Sequence, residues 1–166
     1  MKANDRLRGM NTLASIAHSL RLALMLALTL FLVACGSGPS PTLVELTFTA
    51  APDVNPDPSG RSSPIFVRFY QLGATGAFET ADYFQLHDKE AAILGPSLLD
   101  RQELPLTPGS SQKIEITAKP GTAAIGFAAA YRDIDRAQWR ALSAIPAGKK
   151  TKIEVQLGRL AVSVKP

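Results

Sequence analysis

The chain has 166 residues, 18 Lys/Arg against 14 Asp/Glu, one cysteine and two histidines. Four of the cations and one of the acids precede residue 35, leaving 14 against 13 beyond it, with no persistent basic patch to bind nucleic acid. One cysteine cannot form a disulfide within the chain, and the single histidine beyond residue 34 leaves neither a Cys/His nucleophilic pair nor a tetrahedral zinc set.

The first segment carries Lys2, Arg6, Arg8 and Arg21, then the uncharged run LALMLALTLFLV over residues 22–33, then Ala34-Cys35. A spanning helix needs about 20 apolar residues, so this run has the length of a signal-peptide core instead. Leu32-Val33-Ala34-Cys35 resembles the bacterial lipobox: the thiol takes a diacylglyceryl group, cleavage follows Ala34, and the freed amine of Cys35 is acylated. Two or three acyl chains make such an anchor effectively stable, where one gives only marginal binding. The reading is a lipoprotein signal peptide at 1–34, a lipidated tether at 35–42 and one domain at 43–166, with Met10 as an alternative start. Gly36 stands where the inner-membrane retention signal has aspartate, so the expected location is the outer membrane, lipid-anchored and facing the periplasm.

Residues 36–42, GSGPSPT, form a short Gly/Ser/Pro tether. Apolar residues then alternate in LVELTFTA (Val44, Leu46, Phe48), which predicts a half-buried strand. The stretch APDVNPDPSGRSSP, residues 51–64, holds four prolines and interrupts the pattern, and a loop this long in a compact domain is usually functional or disordered. IFVRFYQL follows with apolar residues on both faces, predicting a strand with a covered second face. FETADYFQLHDKEAAIL, residues 78–94, predicts two short helices or one bent one, with Thr80 and Asp88 as caps. Strand alternation returns at KIEITA, AAIGFAAAY, KKTKIEVQL and RLAVSVK, with a tight hairpin at Gly158-Arg159 between the last two. DIDRAQWR, residues 133–140, has acids first and bases last and is predicted helical. Six or more short strands with turns between them indicate a mainly β fold, an antiparallel sandwich with a small helical insertion.

Little in this chain suits catalysis. His87 lies in the helical insertion with no Gly-x-Ser-x-Gly turn anywhere, and reads as a surface or helix-packing residue. Asp53-x-Asn55-x-Asp57 matches the start of an EF-hand loop, but Pro58 replaces the turning glycine and Pro64 the bidentate glutamate, so no metal is expected. Trp139 among arginines suits either an interface anchor or, by the stronger argument, a core residue under a helix. Prolines stiffen residues 51–64, and the turn formers Asn55-Pro56 and Pro58-Ser59-Gly60 would present Asp57 and Arg61 at a fixed angle, either to a partner carboxylate or to each other.

Read in order, VNPDPSGRSSPIFVRFYQL, FETADYFQL, LGPSLLDRQELPLTPG and IGFAAAYRDIDRAQWRA resemble the TssJ (VasD/SciN) lipoproteins of bacterial type VI secretion systems, with Ser62 where the family pattern has proline and His87 where an aromatic is usual. The resemblance implies a transthyretin-like β-sandwich with no enzymatic activity and no cofactor beyond the covalent lipid on Cys35. It implies binding to the periplasmic C-terminal region of TssM, an inner-membrane protein, and assigns the contact to Val54, Asn55, Pro56, Asp57, Gly60 and Arg61 in the loop between the first two strands. The alternative from another class is a periplasmic ligand-binding module or cell-wall enzyme, marked by a deep pocket with convergent carboxylates.

Overall fold

The computed structural model describes residues 40–165. Cys35, the predicted signal peptide and most of the tether lie outside the described residues. Strands β1 (Leu43–Ala50) and β2 (Ile65–Leu72) are followed by helices α1 (Gly76–Thr80) and α2 (Tyr83–Leu94) and a 3-10 turn at Gly95–Ser97. Then come β3 (Leu98–Leu106), β4 (Ser111–Thr117), β5 (Ala124–Ala129), β6 (Arg140–Ala144), β7 (Lys150–Leu157) and β8 (Val162–Lys165).

Two four-stranded sheets result, ordered β4-β1-β7-β8 and β3-β2-β5-β6. The fold is the predicted mainly β sandwich, and its pairs are antiparallel except β1 with β7, which run parallel from Leu43↔Lys150 to Ala50↔Leu157. Alternate residues point inward, so Val44, Leu46 and Phe48 meet Val67, Phe69, Ile125 and Phe127 across the interior. Phe48 anchors this layer, 5.7 Å from the Phe69 ring and edge-on to Phe127 at 6.0 Å. Buried core residues run from Val44 to Val162, so the domain carries its own core.

The second face of β2 is covered, as its sequence implies, by α1 and α2, which bury Tyr70, Leu72, Phe78, Leu86 and Leu94 in a smaller cluster. Gly126 makes this possible: a Cβ there would sit 2.9 Å from the Phe78 ring, so only glycine lets that ring lie on β5. Of the two forms expected, two helices are present, and α2 is itself bent at Lys89. The cap is Asp82, whose carboxylate accepts from Phe84 N and Gln85 N; the predicted caps act otherwise, Thr80 donating back to Gly76 O and Asp88 meeting the His87 ring. Arg140 donates to Phe78 O and Ala81 O, satisfying carbonyls at the end of α1.

Three expectations differ from the structure. β3 was not anticipated because LLDRQELPL lacks alternation; it is a sheet edge, half exposed, where Pro105 costs no ladder bond. β6 is another short edge strand. The predicted helix at residues 133–140 is absent: its backbone joins the β7–β8 hairpin through Gln138 N to Leu160 O and Val162 N to Gln138 O, and long-range bonds override local charge order. The hairpin itself forms, with Leu157 opposite Val162 and residues 158–161 as its loop.

Candidate functional site

Four loops gather at one end of the sandwich, hereafter the apical end: residues 51–64, 107–110, 130–139 and 158–161. At the opposite end lie residues 40–42, where the described chain begins, with loops 73–75, 118–123 and 145–149. Backbone bonds knit the apical loops: Asn55 N donates to Arg159 O at 3.1 Å, Ala51 N to Leu157 O at 2.8 Å and Gly109 N to Ala50 O at 3.1 Å.

The loop at 51–64 has a buried base and an exposed tip. Val54 is fully buried in the main core. Asn55 is 3% exposed and adopts φ 51°, a left-handed conformation that asparagine tolerates better than most side chains. Its amide donates to Pro64 O at 2.8 Å and its carbonyl oxygen accepts from Arg132 N at 2.8 Å, so one side chain closes the loop and fastens it to the next. Val54 and Asn55 therefore present no side chain at the surface.

Pro56 and Asp57 are half-buried, and Gly60 and Arg61 are exposed. Asp57 organises this tip: one carboxylate oxygen accepts from Ser59 N (2.9 Å) and Arg61 N (3.0 Å), the other from Arg61 Nε (2.8 Å). Gly60 supplies the turn at φ 81°, and Asp57 N donates to Arg61 O at 2.8 Å. The backbone N–H of Arg61, joined by its guanidinium, holds the Asp57 carboxyl below its ordinary range. Of the two pairings open to Arg61 in the sequence, the internal one with Asp57 is formed, while the Arg61 side chain as a whole stays 80% exposed.

The tip borders an open cleft of ≈ 450 Å³ whose other wall includes Arg132, Asp133, Arg136 and Arg159. Asp133 is held by Arg136, and Asp53 lies 4.0 Å from Arg159. Hydrogen bonding from Arg136 lowers the Asp133 pKa, and the same bond raises that of Arg136. Arg132 and Arg159 were missed as members of this surface. Arg159 sits in the predicted hairpin turn, a signal for a loop cation, whereas Arg132 joins through pairing between residues 77 positions apart. The Asp53, Asn55 and Asp57 oxygens face different partners, Arg159, Arg132 N and the Ser59–Arg61 turn, and the described residues contain no group of three or more His, Cys, Asp or Glu able to hold a metal.

A smaller hollow of ≈ 180 Å³ lies between sheet β3-β2-β5-β6 and α2, lined by Phe66, Arg68, Tyr70, Tyr83 and His87 among others. Its charges are internally matched: Arg68 bonds Glu103 and lies 3.5 Å from Glu90, which also takes Arg101 at 2.7 Å. Burial, then the neighbouring Glu90, pushes the Tyr70 phenol up to about 12. His87 is a surface residue against the Tyr83 ring, as read from the sequence. Trp139 is half-buried against both apolar clusters, edge-on to Tyr83 at 5.1 Å, with the Arg140 guanidinium 4.8 Å from its centroid. It packs against the start of α2 but stays partly exposed, short of the core position expected from the sequence. No helix among the described residues is long and apolar enough to cross a membrane.

The family model "Type VI secretion lipoprotein, VasD, EvfM, TssJ" matches residues 42–160. The crystal structure of the T6SS lipoprotein TssJ1 from Pseudomonas aeruginosa is similar at 38% identity and TM-score 0.73, covering 76% of this chain and 98% of that one. Serratia marcescens Lip, a membrane-bound component of the type VI secretion system, is similar at 26% identity and TM-score 0.70, covering 76% and 97%. A chain of a structure described as the type VI membrane complex shares the fold at 22% identity and TM-score 0.67, covering 75% and 98%. No curated protein matches the chain.

Proposed function

The chain belongs to the type VI secretion lipoprotein family, and from that footing we propose that it is a lipid-anchored, non-enzymatic subunit whose apical end captures the periplasmic C-terminal region of TssM. Cys35 carries the lipid and holds the domain at the outer membrane; Pro56, Asp57, Gly60 and Arg61 form the contact surface. Val54 and Asn55 serve it indirectly, as the pins that fix the loop. One observation carries the reading: a proline-stiffened tip closed on itself by Asp57, fastened at its base by Asn55, and set at the end of the sandwich away from the tether. Such pre-ordering lowers the entropy cost of association. The fold shared with a chain of the type VI membrane complex supports the assembly context.

A ligand-binding or enzymatic reading would draw support from unpaired carboxylates converging in a cleft. In the two hollows described, Asp57, Asp133 and Glu103 are each held by an arginine. The test is capture of the TssM periplasmic C-terminal region by the domain. Replacing residues 56–61 with a Gly/Ser linker, with Val54 and Asn55 kept, should weaken capture by roughly a hundredfold, the scale of a lost hot spot. Unchanged affinity would sink the assignment of this loop. Separately, Cys35→Ser should leave a folded but unanchored protein that no longer supports secretion.

A further inference from the structure

The described chain begins at a point fenced by cations. Thr42 accepts from Gly148 N through Oγ1 at 2.7 Å, and its carbonyl accepts from Ala118 N at 2.8 Å. Gly148 directly precedes Lys149 and Lys150, and Ala118 directly precedes Lys119, so the loops that grip the incoming strand also bear the lysines. Lys119 and Lys149 are exposed, and neither joins an ion pair among the described residues, whereas Lys150 is engaged with Glu115 at 3.2 Å and Glu45 at 3.6 Å. The segments at this end, residues 40–42, 73–75, 118–123 and 145–149, contain no Asp or Glu. The nearby Asp100 accepts from Gln71, whose own carbonyl takes Lys119 N.

We propose that this end of the domain rests on anionic phospholipid headgroups, with Lys119 and Lys149 as the contacting charges. The proposal rests on lipid attachment at Cys35, which brings the surface within range. Five Cα–Cα steps lead from Cys35 to Ser40, a fully extended reach of at most about 18 Å. That is roughly two Debye lengths at physiological salt, so even a taut tether leaves the lysines near the field of the bilayer, and any slack brings them into it. Lysine suits this task as a hydrated point charge, while the fork geometry of arginine is kept for the apical end. Two lysines near an anionic surface give roughly a thirtyfold preference for this face over an uncharged one. The result is a domain held upright, with residues 56–61 directed away from the membrane.

Energy transfer tests the orientation. The lipidated protein is placed in phosphatidylcholine vesicles with or without about 30% phosphatidylglycerol, with a donor dye at Ala147→Cys or at Ser59→Cys and an acceptor on a lipid headgroup. Adding phosphatidylglycerol should increase transfer from position 147 and decrease it from position 59. Both changes should vanish at about 0.5 M salt and in Lys119→Glu/Lys149→Glu. Equal transfer in the two vesicle types, or a response that survives the double substitution, overturns the proposal. Failure to join either vesicle type instead counts against the lipid on Cys35. In that case the unlipidated domain, residues 40–166, is titrated with the same vesicles: preference for phosphatidylglycerol supports the headgroup contact, and indifference overturns it. Binding to soluble polyglutamate with none to phosphatidylglycerol gives the surface to an acidic protein and likewise overturns it.

Discussion

The two ends of the sandwich are built from the same strands and treat charge in opposite ways. At the apical end, arginines sit beside carboxylates: Arg61 on Asp57, Arg136 on Asp133, Arg159 near Asp53. At the tether end, Lys119 and Lys149 stand with no acid in the surrounding loops. Paired charges have little reach beyond the first contact, so the proposed apical partner would be selected by shape and directed hydrogen bonds. Unpaired lysines act at a distance and without fine geometry, which suits a surface more than a cleft. Both ends are nonetheless pinned by a buried amide side chain, Asn55 in the long apical loop and Gln71, whose carbonyl takes Lys119 N, at the other end.

The largest expected effect comes from breaking that pin. Asn55→Ala leaves Pro64 O and Arg132 N without partners in a buried site and puts alanine at φ 51°, at a cost of about 3 kcal/mol. The thermal midpoint of the domain, followed by circular dichroism, should fall by about 10 °C; a drop of only a degree or two would mean the loop is held by other contacts. Gly126→Ala, far from both ends, separates stability from recognition. Its Cβ meets the Phe78 ring at 2.9 Å, so it should cost about 2 kcal/mol while leaving TssM capture at temperatures below the transition unchanged.

Asp57→Asn should barely move the midpoint but loosen the tip, read as faster hydrogen exchange at the Ser59 and Arg61 amides. Acid should do the same. The folded Asp57 pKa lies below the ordinary 3.8, so its contribution is present above that value and is lost as pH falls through the folded one. Tip protection, corrected for the intrinsic pH dependence of exchange, that is already lost as pH falls from 7 to 5 would exclude Asp57 as the group responsible. The smallest effect is expected at the other end: Lys119→Glu/Lys149→Glu should change stability by no more than about 0.5 kcal/mol, measured by urea titration, because both side chains are exposed and neither joins an ion pair among the described residues.

Much of this was legible in the sequence because it is written locally. Alternation marked β1, β2, β4, β5, β7 and β8, and the doubly apolar pattern of IFVRFYQL announced a covered second face. What stayed hidden depends on distant pairing. β3 is polar because it is an edge, residues 133–140 look helical until the hairpin claims their backbone, and the parallel match of β1 with β7 leaves no mark on either strand. Within the apical loop, composition foretold stiffness and turn chemistry at Asp57 to Arg61. It gave no sign that Val54 and Asn55 face inward, because their burial depends on Arg132 and Arg159 arriving from elsewhere.

The placement of β1 has a mechanical consequence. It is not an edge strand: seven residue pairs join it to β4 on one side and eight to β7 on the other. Tension entering at Leu43 and leaving through the apical loops acts along this strand. β1 could then slip only by shearing both ladders at once, whereas an edge strand pulled sideways unzips one bond at a time. Were the proposed anchor and the proposed apical contact loaded together, β1 would be the tension member between them.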